Sequence, residues 1–375
     1  MKIKPSALKI LRLKNFKAFR ELRLDLGKLT ILIGENSSGK TSVLQSLLLL
    51  KQTLEAPQSV GTLDLRTDNY GVSFSSFRDI VYGMPKESAS IGFGLSFDDF
   101  RVRFDIEKKK GEGIGVKKFL VNGRSITSKT SGYYHFLPRR FFKENEHESE
   151  IFEYFFEKIG YMGPLRQRGM RYYPLHGTKP SWIGNQGEDI ANYLHTHPDT
   201  EDAIRNWFVQ EAKLTNHIEF QVLPGDQMEI VFHDPKTGFK IDISRLGFGF
   251  SQILPIAAAV FTEMNFLIFE GPEIHLNPSL HGAIADLMIK GVHNGKQIIV
   301  ETHSEHILYR LQRRVAEGKI NKKDVAIYYV SRGKDGSKAD RLKITDNGEL
   351  PDWPTGFFES ETEDIFGRLL AKTKV

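Results

Sequence analysis

The stretch "LTILIGENSSGKTSVLQSLLLL", Leu29 to Leu50, decides the fold. It opens with Leu29 to Ile33, mostly apolar or β-branched, the pattern of a strand buried on both faces of a parallel sheet. The strand runs straight into Gly34-Glu35-Asn36-Ser37-Ser38-Gly39-Lys40-Thr41, and an apolar helix follows from Ser42 to Leu50. This is G-x-x-x-x-G-K-[ST] in the strand, loop and helix setting that a phosphate-binding loop needs. Gly34 and Gly39 allow the tight turn. Backbone N–H groups from Asn36, Ser37, Ser38, Gly39 and on to Ser42 can then surround phosphate oxygens, with the helix N-terminus adding partial positive charge. Lys40 is placed to neutralise the β and γ phosphates and the Thr41 hydroxyl to ligate Mg²⁺.

Composition sets the bounds. The 375 residues, 40% of them hydrophobic, suffice for a sizeable core and for two or three lobes. Lys plus Arg exceed Asp plus Glu by 52 to 47, a bias that permits nucleic-acid contact without requiring it. There is no cysteine, which excludes disulfides and thiolate metal sites and fits a reducing compartment. No run of about 18 apolar residues occurs and the N-terminus has no apolar signal core. A soluble, cytoplasmic protein with no membrane partner is the expectation.

Three further stretches belong to the same site. "ISRLGFGFSQILPIAAAVF" holds Gly247 and Gly249, then Ser251 and Gln252, ahead of an apolar helix read as Ile253 to Phe261, with Ser251 suited to cap it. "FLIFEGPEIHLNPS" is an apolar strand ending in Glu270, then Gly271, Pro272 and Glu273; Asn277 can cap a helix begun by Pro278. "GKQIIVETHSEHIL" gives a buried strand, Gln297 to Val300, running to Thr302-His303-Ser304. His303 sits where doubly wound sheets hold their ligands, whereas His306 reads as an ordinary helix residue.

Together with "LKNFKAF" at residues 13–19, these stretches resemble the RecF, SMC and OLD (overcoming lysogenization defect) group of ABC-type ATPases. The resemblance implies an α/β fold: an ABC-type ATPase head with a P-loop and a mixed sheet, helices on both faces, an antiparallel β-subdomain and a helical insertion lobe. It implies ATP and Mg²⁺ as ligands, with Glu270 beside a Mg²⁺-bound water. Gly249, Ser251 and Gln252 would be the signature motif that reaches a nucleotide held by a second copy, the "PEIHLNP" segment would touch that copy, and His303 would be the switch histidine at the γ-phosphate. A homodimer closing on ATP follows.

Gly271 stands where SMC and transporter ATPases carry the glutamate that polarises the attacking water, and a glycine offers no proton chemistry. Three readings stay open. Glu273 reaches the water from beyond Pro272, hydrolysis is slow and rests on positioning and His303, or ATP is only a clamp. For Glu273 itself, a role as the acid partner of a helix N-terminus competes with catalysis.

The expected organisation is an N-terminal core half over 1–60, a β-subdomain with helical insertion over 61–240, and a C-terminal core half over 241–375. Short alternating stretches from Tyr70 to Ile126 read as antiparallel strands. "ESEIFEYFFEKIG" reads as one amphipathic helix and "GEDIANYLHTHPDTEDAIRNWFVQEA" as two more, without the sustained heptads of a long coiled coil. "YMGPLRQRGMRYYP" gathers Arg166, Arg168 and Arg171 among tyrosines, a cluster that suits either nucleic-acid backbone or a packed loop between lobes. "PDWPTGFFESETEDIF" resembles a C-terminal segment found in subunits of bacterial anti-phage (Septu-like) systems. No D-x-D follows His303, so no nuclease is expected in the chain, and a separate effector, nuclease or toxin, is the expected partner. A RecF-like DNA-repair ATPase is the alternative.

Overall fold

The computed structural model describes residues 5–85, 89–108, 113–127 and 132–352. The chain opens with β1 (Ile10–Phe16) and β2 (Phe19–Asp25), followed by β3 (Leu29–Gly34) and α1 (Lys40–Glu55). Then come β4 (Ala89–Ser96), β5 (Arg101–Lys108), β6 (Ile114–Val121), β7 (Arg124–Ser125) and the short pair β8 (Tyr133–Tyr134) and β9 (Leu137–Pro138). Helices α2 (Arg139–Glu144) and α3 (Glu146–Glu157) lead to β10 (Ile159–Met162) and β11 (Tyr173–Pro174). A lobe of α4 (Ile190–Thr196), α5 (Pro198–Asn206), β12 (His217–Leu223), β13 (Gln227–His233) and β14 (Lys240–Asp242) precedes the last third. That third holds α6 (Phe248–Phe261), β15 (Phe266–Glu270), α7 (Pro278–His293), β16 (Gln297–Glu301), α8 (Glu305–Ala316), β17 (Val325–Gly333) and β18 (Gly336–Leu342).

The core sheet runs β10-β15-β16-β3-β17-β18, parallel throughout except for β18 at the edge. Its parallel strands are nearly continuous apolar runs because helices or a second sheet cover both faces. Strand alternation divides the two cores. Leu32, Ile268, Ile299 and Tyr328 pack with Val43, Leu44 and Leu47 of α1, while Ile31, Ile33, Leu267, Phe269 and Val300 pack with α6, α7 and α8.

A second, antiparallel sheet runs β2-β1-β4-β5-β6-β7. β1 pairs with β4 from Ile10↔Ser96 to Lys14↔Gly92, which joins the N-terminal hairpin to the strands that follow α1. Phe93 and Phe104 stack at 5.2 Å, and Phe104 stacks on Phe136 at 4.8 Å, filling the space under α3. The strands expected from Tyr70 begin only at Ala89. Ser76 and Asp79 instead form a capping box on a short 3₁₀ turn, Phe77–Ile80, which buries Phe77 and Ile80. The three expected helices of the insertion are α3, α4 and α5, and α5 runs on through a π-helical turn, Trp207–Glu211, that buries Trp207 and Phe208.

The helix read as Ile253 to Phe261 begins five residues earlier, at Phe248. Gly247 occupies the cap position, so Ser251 is not a cap. Its hydroxyl donates back to the Phe248 carbonyl at 2.7 Å inside the first turn. Apolar Phe248 and Phe250 add a turn that a glycine-based reading of "GFGF" treats as loop. "PDWPTGFFESETEDIF" after Asp352 lies outside the described residues, as does the acidic "ETED" within it.

Candidate functional site

The phosphate loop joins β3 to α1 and depends on two backbone geometries. Gly34 has φ +142°, and a Cβ there would come within 2.1 Å of the Val330 carbonyl; Gly39 has φ +108°, with Ala18 2.8 Å from its would-be Cβ. Asn36 and Ser37 are exposed at the rim, whereas Ser38, Lys40 and Ser42 are buried. The Ser38 hydroxyl has no hydrogen-bond partner. Lys40 Nζ donates to the carbonyls of Gly34 (3.0 Å) and Glu35 (2.7 Å), and burial holds its pKa below the usual lysine range. An ammonium turned onto its own loop and a buried hydroxyl with nothing to bond are groups that a phosphate would engage.

Opposite the loop, β15 and β16 end level with each other, Glu270 in register with Glu301. Alternation along both strands turns these two side chains to the α1 face. Thr41 Oγ1 donates to Glu301 Oε1 at 3.0 Å, and Glu301 Oε2 is buried without a partner. Desolvation pushes the Glu301 carboxyl up to about 7, with Glu270 adding repulsion and Thr41 and Lys40 opposing. Glu270 Oε2 accepts from the Tyr161 hydroxyl at 2.8 Å, and desolvation raises its pKa as well. Glu301 is absent from the sequence reading, although its signal was present: "QIIVE" closes an apolar strand on an acid just as "FLIFE" does.

Gly271 leaves β15 with φ +53°, and a Cβ there would lie 2.5 Å from Ile274 Cδ1. Its N–H donates to the Glu301 carbonyl at 2.9 Å, which ties the turn to β16. Two residues on, Glu273 Oε1 accepts the backbone N–H of His303 at 2.7 Å while Oε2 is buried without a partner. Glu273 thus belongs to the His303 corner and does not cap the α7 N-terminus. Asn277 does that, its side chain accepting from the Ser279 N–H. Partial desolvation and then the charge of Lys40 keep the exposed His303 below the usual imidazole range. His306 is an exposed residue of α8, as expected.

The arginine cluster is split. Arg166 is 5% exposed and its guanidinium donates to the carbonyls of Gly163 (3.3 Å), Gly271 (3.5 Å), Pro272 (3.4 Å) and Ile274 (2.7 Å). Burial pulls its pKa down to about 10. It clamps the turn after Glu270 and is closed to solvent-borne ligands, whereas Arg168 and Arg171 are exposed and Arg171 lies over the Tyr172 ring at 5.0 Å.

Lys40, Thr41, Glu270, Glu273 and His303 thus converge at one end of the core sheet, and Gly249, Ser251 and Gln252 do not join them. Ser251 lines a cavity of about 290 Å³ with Arg168, Gly169, Ile243, Ser244, Leu246 and Phe248, none of them from the phosphate loop. Gln252 is fully buried and its amide N–H group donates to the Arg166 and Gln167 carbonyls at 3.3 and 3.5 Å, so it braces the arginine segment, while its Oε1 is buried without a partner. Gly249 is half-buried in the first turn of α6, 3.7 Å from Leu276 at its would-be Cβ. Beside the loop itself opens a larger cavity, about 590 Å³, lined among others by Lys17, Ser37, Ser42, Tyr82, Arg332 and Ser337.

Among the described residues no group of three or more His, Asp or Glu side chains is placed to hold a metal ion. A Mg²⁺ bound here would draw most of its shell from phosphate oxygens and water, which is its usual habit. Thr41 and the nearby carboxylates fit that pattern, and the unpartnered oxygens of Glu301 and Glu273 are acceptors still to be filled. No helix among the described residues is long and apolar enough to cross a membrane.

Comparison with solved structures gives the same architecture. An SMC head domain from Thermotoga maritima aligns over 90% of this chain and 99% of its own, with a TM-score of 0.50 and 14% identity. An SMC head crystallised with the C-terminal winged-helix domain of ScpA aligns over 90% and 98%, with a TM-score of 0.53 and 17% identity. At these identities the likeness is one of fold, the ABC-type ATPase head. No curated protein matches the chain. Residues 320–366 match a family described as a protein of unknown function. The AAA ATPase domain family matches residues 7–123 and 183–308, well over half of the sequence and including the phosphate loop, the Glu270 strand and the His303 corner, and the chain belongs to that family.

Proposed function

We propose that the chain binds ATP with Mg²⁺ at the Gly34–Ser42 loop, hydrolyses it slowly, and closes as a homodimer around two nucleotides. The observation that carries this reading is the separation of the site into two halves. Lys40, Thr41 and the acidic strand ends lie on one, while Ser251 opens onto a cavity that no loop residue lines. A second copy would bring its Ser251 to the γ-phosphate held by the first. The cavity beside Lys17, Tyr82 and Arg332 is the space for the nucleoside.

In hydrolysis Lys40 would leave its loop carbonyls for phosphate oxygens, and His303 would meet the γ-phosphate. Bound Mg²⁺ would supply charge neutralisation across the β and γ phosphates. Thr41 and Glu270 are the side chains that would hold it, Glu270 with Tyr161 fixing its carboxylate. Glu273 Oε2 is the proton acceptor that replaces the side chain missing at Gly271, held in place by the His303 N–H on its other oxygen. Because phosphoryl transfer draws mostly on positioning and electrostatics, a displaced acceptor slows the reaction without abolishing it.

The closed dimer would act on a separately encoded effector in anti-phage defence. The resemblance of the C-terminal segment supports the defence setting, and the SMC head seen with the ScpA domain supports a partner docked on a head of this shape. RecF-like DNA binding is the second reading, supported by exposed Arg168 and Arg171. Steady-state ATP turnover with Mg²⁺ tests the enzymatic part. The unsubstituted chain should turn over measurably faster than Lys40→Ala and Glu270→Ala. Equal rates for all three would mean that ATP is a clamp and not a substrate.

A further inference from the structure

Glu301 has no assigned part in this site, yet it is the carboxylate nearest the Thr41 hydroxyl, with Thr41 Oγ1 donating to its Oε1 at 3.0 Å. It is 7% exposed, and its other oxygen is buried with no partner. Its strand lies between β15 and β3, so Glu301 stands between Glu270 and the phosphate loop. Alternation along β16, with Ile299 in the α1-side core and Val300 in the opposite one, turns Glu301 to the α1 face.

That placement poses a problem of charge. A loop built to hold a polyanion has an almost fully desolvated carboxylate on its helix's first hydroxyl. In a low-dielectric setting such a carboxylate repels phosphate strongly and is itself costly to bury without a cationic or donor partner. Thr41 satisfies only Oε1, and the Lys40 ammonium, turned to the carbonyls of Gly34 and Glu35, makes no bond to Oε2. A cation lying between Glu301 and the phosphates removes both costs at once. Mg²⁺ bound with nucleotide takes one or two carboxylates, a hydroxyl, phosphate oxygens and water.

We propose that Glu301 is a further Mg²⁺-directed carboxylate of the nucleotide site, working beside Thr41 and Glu270, and that it makes nucleotide binding conditional on the cation. This rests on the nucleotide reading above and deepens it. Without Mg²⁺ the Glu301 charge opposes the phosphates; with Mg²⁺ the same charge helps hold the ion. A part limited to positioning Thr41 would need only a hydrogen-bond acceptor, which glutamine also supplies.

The test is equilibrium binding of a fluorescent ATP analogue to the full chain in EDTA and across a MgCl₂ titration, for the unsubstituted protein, Glu301→Gln and Glu301→Asp, each checked by thermal melting. The expected signature is a crossing. Glu301→Gln binds the analogue severalfold more tightly than the unsubstituted chain in EDTA, because the repulsion is gone, and needs at least tenfold more Mg²⁺ to reach its half-maximal gain. Glu301→Asp, which keeps the charge one methylene further back, binds weakly in EDTA like the unsubstituted chain and falls between the two in its Mg²⁺ requirement. Glu301→Gln affinities that equal the unsubstituted values in both conditions, or that weaken in parallel in both, would overturn the inference and leave Glu301 as a structural acceptor for Thr41. Failure of the unsubstituted chain to bind the analogue in either condition would overturn the nucleotide reading and this inference together.

Discussion

Glu273 and His303, 30 residues apart, are joined by a hydrogen bond from the His303 backbone N–H to Glu273 Oε1 at 2.7 Å. The bond fixes one carboxylate oxygen and leaves the other unpartnered at the corner where β15 and β16 end. In the proposed reaction this carboxylate would stand in for the side chain absent at Gly271. Glu273→Gln keeps an acceptor for His303 and loses only the basic oxygen. Turnover should fall by about 10²-fold or more while nucleotide affinity stays within a few-fold, since general-base contributions run to about 10²–10⁴. Parallel kcat and binding measurements check this.

Gly271 is not an empty place that a glutamate could refill. With φ +53° and Ile274 Cδ1 2.5 Å from its would-be Cβ, Gly271→Glu strains the turn and pushes Ile274 aside. The substitution should lower stability by about 1–3 kcal/mol, the usual cost of a side chain forced into such backbone. Turnover should not rise. Urea unfolding read beside the ATPase rate would show both.

Arg166 holds the same turn through the backbone carbonyls of Gly271, Pro272 and Ile274, and bonds that of Gly163 in its own segment. Arg166→Met removes those donors and leaves the carbonyls buried, so a loss on the order of 3 kcal/mol is expected from bonds to a charged donor. Because Arg166 is buried, any DNA affinity of the chain should respond in its salt slope to Arg168→Gln and Arg171→Gln and not to Arg166→Met. Filter binding over a salt series separates the two effects.

Lys296 gives a pH signature unrelated to the site. Its buried ammonium donates to the Thr262 and Met264 carbonyls, and desolvation brings its pKa down to about 8 from 10.5. Below pH 8 both folded and unfolded chains carry the proton, and the fold bears the full cost of the buried charge. Between pH 8 and 10.5 the unfolded chain binds more protons than the folded one, so this group's contribution to stability rises with pH. The stability difference between the unsubstituted chain and Lys296→Met should therefore shift in favour of lysine from pH 7.5 to 9.5. The size should be on the order of 2 kcal/mol at most, and urea unfolding at the two pH values measures it.

Local pattern was enough to read the P-loop, the buried strands and the Asn277 cap, because each follows from residues adjacent in sequence. What escaped the reading depends on pairing across the chain. Glu301 becomes informative only when β16 is set between β15 and β3, which places its carboxylate on Thr41, 260 residues away. The arginine cluster suited either nucleic-acid backbone or a packed loop, and only the fold, by setting Arg166 under the Gly271–Ile274 turn, separates it from exposed Arg168 and Arg171. Gln252, grouped by motif with Ser251, points inward because the α6 helix starts at Phe248 and rotates neighbouring residues to different faces. The β1–β4 pairing likewise joins segments about 80 residues apart that no local periodicity connects.

The central claim is that the two halves of the site come from two copies. Light-scattering mass, taken with and without a non-hydrolysable ATP analogue and Mg²⁺, on the unsubstituted chain, Lys40→Ala and Ser251→Arg, tests it most directly. The account predicts that only the unsubstituted chain doubles from 42.8 kDa, and only with nucleotide. Ser251→Arg should still bind the analogue while staying single. A chain that binds nucleotide and keeps its 42.8 kDa mass, or a Ser251→Arg variant that doubles as readily as the unsubstituted one, would contradict it.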